Sequence, residues 1–149
     1  MGAGMTGQDR NHPQPGRSVR RPVADLFADQ AEAGLALIGS RCGSCAAVTF
    51  PRQPTCPRCA GSEMRDERLA TRGTLWSWTV QAFAPKSPPF RGEFTPYGVG
   101  YIQLEDQVIV EARLTESDPD RLHIGSVMEL VALPVDDDTF TYAFAPVTR

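Results

Sequence analysis

All four cysteines of the chain lie within one short stretch, residues 41–61, which reads RCGSCAAVTFPRQPTCPRCAG. They form two C-x-x-C pairs with ten residues between the pairs: Cys42, Cys45, Cys56 and Cys59. Four thiolates in this pattern favour a tetrahedral metal site, because each C-x-x-C turn directs two sulfurs to one point. We therefore predict that they bind one metal ion. Two disulfides or free thiols are the alternatives, since the separation is shorter than the roughly 15–20 residues of the commonest zinc pattern.

Zinc is the favoured ion, because nothing else in the sequence indicates the redox chemistry that an iron site would serve. Four thiolates fill the coordination sphere of zinc, so the predicted site is structural and not catalytic. Ala46 and Ala60 follow the second cysteine of each pair. Rubredoxin-like knuckles usually carry glycine there with positive φ, and alanine in that conformation costs about 1 kcal/mol. The knuckles therefore either adopt another geometry or bind their metal ion less tightly.

The rest of the sequence offers no recognisable catalytic motif. The two histidines, His12 and His123, have no evident nucleophile partner, and GVGY lacks the glycine spacing of a dinucleotide-binding loop. Three consecutive aspartates, residues 136–138, read as a solvated hairpin turn. We predict that the chain has no catalytic residues of its own.

The elements around the cysteines indicate a mainly β protein. A short helix over about residues 24–33 and a strand, LALIGSRC, precede the first cysteine pair. From Thr74 the chain alternates apolar and polar residues in five segments, with a helical turn capped by Ser117 between the third and fourth. This order matches the five-stranded OB-fold barrel. We predict a disordered tail over residues 1–22, the helix and zinc ribbon over 23–72, and the barrel over 73–149.

Charge is distributed unevenly along the chain. Residues 41–91 carry eight basic and three acidic side chains, whereas residues 102–138 carry ten acidic and two basic ones. The sequence has no stretch near the ~20 apolar residues of a membrane helix, and its N-terminus lacks the apolar segment of a secretory signal. We expect a cytoplasmic protein without membrane contact, where clustered cysteines more often bind metal than form disulfides.

The order of these motifs resembles one known family. RCGSCAAVTFP, CPRCAG, RGTLWSWTV, PYGVGYIQLED and DPDRLHIGSVMEL follow one another as in small proteins that pair a rubredoxin-like zinc ribbon with an OB-fold. That family was long catalogued as a domain of unknown function and is associated with acyl-CoA enzymes. The match covers roughly residues 25–146. Alanine at positions 46 and 60, where the family commonly has glycine, is the departure from its pattern.

The resemblance implies an accessory subunit and not an enzyme. Members associate with thiolase-fold enzymes, namely acyl-CoA thiolases and thiolase-like aldolases. Others accompany or are fused to enoyl-CoA hydratases, so a partner subunit of an enoyl-CoA hydratase is the alternative function. The partner carries the catalytic residues for C–C bond cleavage or formation on acyl-CoA. The small subunit stabilises the partner and can help to form the CoA channel. By this match the metal ligands are Cys42, Cys45, Cys56 and Cys59.

A proline-rich loop over residues 84–96 is the candidate contact with CoA or with the partner. Its aromatic side chains can contact adenine or pantetheine, and its cations can meet phosphates. The residues concerned are Phe83, Lys86, Phe90, Arg91 and Tyr97. Docking of the partner without ligand contact is the alternative for this loop. Either Trp76 or Trp78 can also contact the partner, while core packing is expected for one of them.

Two other functions fit parts of the pattern. Zinc ribbons and OB-folds both bind nucleic acids, but a single-strand groove needs basic residues beside stacking aromatics. The barrel strands here are acidic, and the sequence pI is near 5.3. An electron carrier with iron in the cysteine cage is the second alternative. We therefore expect a thiolase-fold partner and no nucleic acid.

Overall fold

A computed structural model describes residues 21–22, 24–28, 34–86 and 92–148. These residues form nine strands and one turn of 3-10 helix, Pro119–Arg121. The strands are β1 (Arg21–Pro22), β2 (Ile38–Cys42), β3 (Val48–Thr49), β4 (Met64–Arg68), β5 (Arg72–Gln81), β6 (Tyr97–Leu104), β7 (Val108–Leu114), β8 (Val127–Pro134) and β9 (Thr139–Pro146).

Strands β5 to β9 close into a five-stranded barrel. β5, β6 and β7 form an antiparallel meander, and β7 pairs in parallel with β9 at Arg113 and Leu114. β9 pairs antiparallel with β8, which returns to pair with the start of β5. This order of pairing is that of the OB-fold. The predicted mainly β architecture with an OB barrel is confirmed.

Alternation along the strands builds the barrel interior. Ile102 and Leu104 of β6 and Val110 of β7 are fully buried, while the residues between them point outward. At Gly73, where β5 lies between β8 and β6, an added Cβ would lie 2.4 Å from the carbonyl oxygen of Gln103. A side chain at this position would prevent closure of the barrel. This explains why glycine is the second residue of β5, the first barrel strand.

The cysteine ribbon forms a second, three-stranded sheet in the order β3-β2-β4. It shares one hydrophobic core with the barrel, because Leu37 and Leu69 pack in the same buried cluster as Phe140 and Phe144. The ring of Phe27 lies 5.0 Å from that of Phe140, centroid to centroid, in an edge-on arrangement. Ribbon and barrel are therefore packed against each other directly.

The predicted helix over residues 24–33 is wrong where the structure describes it, at residues 24–28. Phe27 forms an isolated antiparallel bridge with Leu37, and the amide of Ala28 donates to the carbonyl of Ala36 at 2.9 Å. Burial of Phe27 against the barrel overrides the helical spacing of the segment. Residues 29–33 lie outside the described part of the chain, as does the predicted tail except for its last two residues, which form β1.

One local prediction also needs correction. The 3-10 turn is capped by Asp118 and not by Ser117, since the Asp118 carboxylate accepts from the amide of Asp120. In β5, a bulge between Leu75 and Ser77 shifts the pairing with β6. Trp76 is consequently exposed, while Trp78 packs partly against the core. Strict alternation, which would put both tryptophans on one face, therefore does not hold across the bulge. No helix within the described ranges is long and apolar enough to cross a membrane.

Candidate metal centre and ligand loop

Two equivalent turns present the four cysteines. Strand β2 ends at Cys42, whose amide donates to the carbonyl of Ala47 at 2.8 Å, and the amide of Ala46 donates back to the Cys42 carbonyl at 3.0 Å. The second turn repeats this pattern, because the amide of Cys56 donates to Gly61 at 2.8 Å and that of Ala60 donates to Cys56 at 2.9 Å. Each pair of cysteines is thereby held in the same knuckle conformation.

The four sulfurs converge on one point. The Sγ atoms of Cys42 and Cys59 lie 3.6 Å apart, as do those of Cys45 and Cys56. All four lie within 4.8 Å of one another. A zinc ion with bonds of about 2.3 Å to four thiolates would separate them by about 3.8 Å at the edges of a tetrahedron. The geometry therefore fits a single tetrahedral metal ion.

Both knuckle alanines adopt the left-handed conformation. The φ angle is 63° at Ala46 and 60° at Ala60, in the region that glycine usually occupies. Of the two possibilities left open by the sequence, a different knuckle geometry is therefore excluded. The chain keeps the rubredoxin-like turn with alanine in it, at a conformational cost of about 1 kcal/mol for each residue.

The sulfurs differ strongly in acidity. Backbone amides of Cys45 and Ser44 lower the pKa of the Cys42 thiol to about 6. At Cys59 the Gly61 amide acts to lower the pKa, but the neighbouring sulfurs of Cys42 and Cys45, together with burial, outweigh it and raise the pKa to about 12. Four thiolates at this separation repel one another unless a cation neutralises them. The donor set therefore fits a divalent metal ion.

The ribbon is tied to the barrel through a polar network at the β6–β7 turn. The Gln107 side chain accepts from the amide of Ala70 at 2.8 Å and donates to the Glu67 carboxylate at 3.3 Å. The Arg41 guanidinium donates to the same carboxylate at 2.8 Å and, with its charge, lowers the pKa of Glu67. Arg41 directly precedes Cys42, so this network fixes the orientation of the metal site relative to the barrel. No sequence pattern indicated that Gln107 would connect the ribbon to the barrel.

The predicted ligand loop connects β5 to β6. Of its five candidate residues, Phe83 is 80% exposed, Lys86 is exposed and Tyr97 is half-buried at the start of β6. Phe90 and Arg91 lie outside the described residues. The two ends of the loop lie side by side, since Gln81 and Tyr97 are paired in the sheet. The structure therefore brings Tyr97 close to the strand that leads to Phe83.

Arg113 is a residue of this region that the sequence analysis missed. Its guanidinium lies 4.1 Å from the centroid of the Tyr97 ring, close enough for a cation–π interaction. The ring of Phe94 lies 6.1 Å from that of Tyr97. Arg113 is on β7, sixteen residues along the chain from Tyr97, so only the register between β6 and β7 could have placed them together.

Two adjoining grooves cross the outer face of the barrel beside this cluster. One, of ≈ 170 Å³, is bordered by Trp78 and Tyr101, and the other, of ≈ 400 Å³, is bordered by Tyr97 and Arg113. Both include Val99 and Glu111 in their lining. The histidine and the aspartates that the sequence analysis assigned to no site lie elsewhere. His123 is exposed before β8, and Asp136 accepts backbone hydrogen bonds in the β8–β9 turn.

Known proteins resemble both parts of the chain. Residues 32–65 match the ChsH2 rubredoxin-like zinc ribbon domain, and residues 66–133 match the ChsH2 C-terminal OB-fold domain. A DUF35 domain-containing scaffold protein of Methanocaldococcus jannaschii is 30% identical over 118 residues, which cover 74% of this chain and 82% of that protein. The benzoylsuccinyl-CoA thiolase subunit BbsA of Thauera aromatica is 32% identical over 102 residues, 68% of this chain and 67% of BbsA.

A solved structure shows the same arrangement. The Ltp2-ChsH2(DUF35) aldolase contains a chain that matches 76% of this one over 86% of its own length, with a TM-score of 0.61 and 26% identity. These matches agree with two features of the structure described above: a ribbon followed by a barrel, and four cysteine sulfurs that converge on one point. The chain belongs to the family of proteins that join a ChsH2-type rubredoxin-like zinc ribbon to a ChsH2-type OB-fold domain, the family of the DUF35 scaffold proteins.

Proposed function

We propose that this chain is a non-catalytic accessory subunit that binds and stabilises a thiolase-fold enzyme. The enzyme would be an acyl-CoA thiolase or a thiolase-like aldolase that cleaves or forms C–C bonds on acyl-CoA. The observation that carries this proposal is similarity over most of the chain: relatives named as a scaffold protein and a thiolase subunit match 74% and 68% of it in sequence, and a chain of an aldolase matches 76% of it in structure. The C–C chemistry would belong to the partner.

In this proposal the ribbon holds a structural zinc ion through Cys42, Cys45, Cys56 and Cys59. Zinc bound by four thiolates supplies folding energy and has no open position for a substrate. The sulfurs are close enough to do this without rearrangement of the knuckles. We propose a cytoplasmic setting, where the reducing environment would keep these thiols available for the metal ion. The ribbon then fixes a basic surface beside the barrel.

The ligand loop is proposed to contribute to the CoA channel of the complex. Phe83, Lys86, Phe90, Arg91 and Tyr97 are the proposed contacts with CoA or the partner. Exposure of Phe83 and Lys86 supports this assignment, as does the stacking of Arg113 on Tyr97 at the base of the loop. An aromatic surface beside fixed cations suits the adenine ring and phosphates of CoA.

Co-expression tests the proposal directly. Each thiolase-fold protein of the source organism is expressed with the affinity-tagged chain, and the purified complex is characterised by mass spectrometry and light scattering. We expect one such protein to co-purify at a fixed stoichiometry. Failure of every thiolase-fold protein to bind would refute the proposal. A salt-dependent shift of single-stranded DNA or RNA by the chain would instead favour the nucleic-acid alternative.

A further inference from the structure

An apolar patch covers the outer face of the barrel on the side of the β5 bulge. Trp76 is 56% exposed, and its ring lies 6.4 Å from that of Tyr101, which is 44% exposed. Val127 and Ile109 lie at the two ends of a row that crosses strands β8, β5, β6 and β7. We call this set, Trp76, Tyr101, Ile109 and Val127, the outer patch.

The strand register makes the outer patch continuous. Val127 pairs with Thr74, Thr74 pairs with Gln103, and Gln103 pairs with Ile109. Thr74 and Gln103 are exposed and uncharged, and each lies two residues from Trp76 or Tyr101 on the same strand. Residues two apart on a strand face the same side of a sheet, although the bulge bends β5 at this point. The aromatic pair therefore borders the row directly.

The distribution of charge around the outer patch is that of a protein interface. On one side, Arg72 and Glu129 form an ion pair at 3.6 Å, and on the other lie Glu111 and Arg113. Interfaces between proteins have cores enriched in tryptophan and tyrosine and depleted of charge, with a polar rim. The outer patch has this arrangement, with a neutral centre and charged residues at both margins.

Charge also decides the class of partner. The barrel sequence from Ile102 to Asp138 carries ten acidic side chains and two basic ones. Ile109 and Val127 of the outer patch belong to this acidic segment, and Tyr101 directly precedes it. Excess negative charge disfavours both the phosphates of nucleic acid and the anionic headgroups of a membrane. The uncharged apolar centre fits an apolar surface of another protein.

Four large apolar side chains, each about half exposed, lie next to one another in the outer patch. A standard interface buries about 800 Å² from each partner, and its apolar centre is a cluster of this kind. The ≈ 170 Å³ groove beside Tyr101 adds a socket for one side chain of the partner.

We propose that the outer patch is the surface on which the thiolase-fold partner docks, with Trp76 and Tyr101 as the residues that contribute most to its affinity. This inference rests on the proposed function, and it adds the location of the contact. It places the partner against β5, β6, β7 and β8 of the barrel.

Binding of variants to the co-purified thiolase-fold protein tests the location. Trp76→Ala and Tyr101→Ala are each expected to weaken binding by more than about 30-fold, as hot-spot truncations do. Gln103→Arg places a charge at the centre of the patch on an exposed position and is expected to weaken binding to a similar degree. Val135→Ala is the matched control, because Val135 is 57% exposed but lies at the β8–β9 turn. Circular dichroism and the zinc content of each variant verify that it is folded.

The outcomes separate the two proposals. If the wild-type chain binds its thiolase-fold partner and Gln103→Arg and Trp76→Ala bind equally well, the docking surface is wrong and the accessory function stands. If variants at the outer patch abolish self-association of the chain and leave partner binding unchanged, the patch joins two copies and the proposal is overturned. If no thiolase-fold protein binds the wild-type chain, the proposed function itself fails.

Discussion

Replacing Ala46 and Ala60 with glycine is expected to tighten metal binding. Both residues are in the left-handed conformation, with φ of 63° and 60°, and each lies immediately after a cysteine of the metal site. Glycine removes the conformational cost, but it also increases the entropy of the unfolded chain. Since the cost of alanine at positive φ, about 1 kcal/mol, exceeds the smaller entropic term, a net gain of about 0.5 kcal/mol for each substitution remains.

The gain converts into a measurable change in affinity. About 0.5 kcal/mol corresponds to roughly twofold in the zinc dissociation constant, and about fivefold for the double variant if the two knuckles act independently. Competition with a chromogenic zinc chelator measures this constant at fixed pH. We expect the double variant, which carries both Ala46→Gly and Ala60→Gly, to bind zinc most tightly. Each single variant should bind more tightly than the wild type.

Ala47 provides the matched control for this prediction. It neighbours Ala46, and its φ is not positive. Ala47→Gly therefore gains nothing in the folded state and increases the entropy of the unfolded chain, which is expected to weaken zinc binding by up to about fivefold. Equal effects of Ala46→Gly and Ala47→Gly would refute the argument that knuckle strain limits the affinity.

Three further predictions concern stability. Gln107→Ala removes the bonds to Ala70 and Glu67 and is expected to lower the free energy of unfolding by about 1–3 kcal/mol, measured by urea denaturation. Phe144→Ala, at a fully buried core position, is expected to cost about 3–5 kcal/mol in the same experiment. Arg41 lowers the pKa of Glu67 in the folded state. The ionised Glu67 carboxylate therefore stabilises the folded chain above pH 4.5, the usual pKa of the group, and this stabilisation is lost as the pH falls through the lower pKa of the folded state. The difference in urea midpoint between wild type and Glu67→Gln should therefore shrink on acidification below about pH 4.5, and a constant difference would contradict this.

The barrel and the metal site were predictable because local patterns determine them. Alternation in β6 and β7 places Ile102, Leu104 and Val110 on one face, and that face has to be buried. The cysteine spacing similarly determines which sulfurs meet, since each knuckle is a short local turn. No long-range information is needed for either conclusion.

The features that the sequence analysis missed all depend on contacts between distant segments. Phe27 lies in a β-bridge and not in a helix because it packs on Phe140, more than a hundred residues away. The bulge that exposes Trp76 depends on the register between two strands. Arg113 meets Tyr97 across the same sheet, through the register of β6 and β7. Periodicity shows which face a residue occupies but not what lies opposite it.

The activity of the thiolase-fold partner, with and without this chain, tests the central claim most directly. The partner is purified alone and in complex, and C–C bond cleavage or formation on acyl-CoA is followed at equal enzyme concentration together with the melting temperature of the partner. The account predicts no turnover by this chain alone, and a higher melting temperature and activity of the partner in the complex. A partner that is equally stable and equally active without this chain would contradict it.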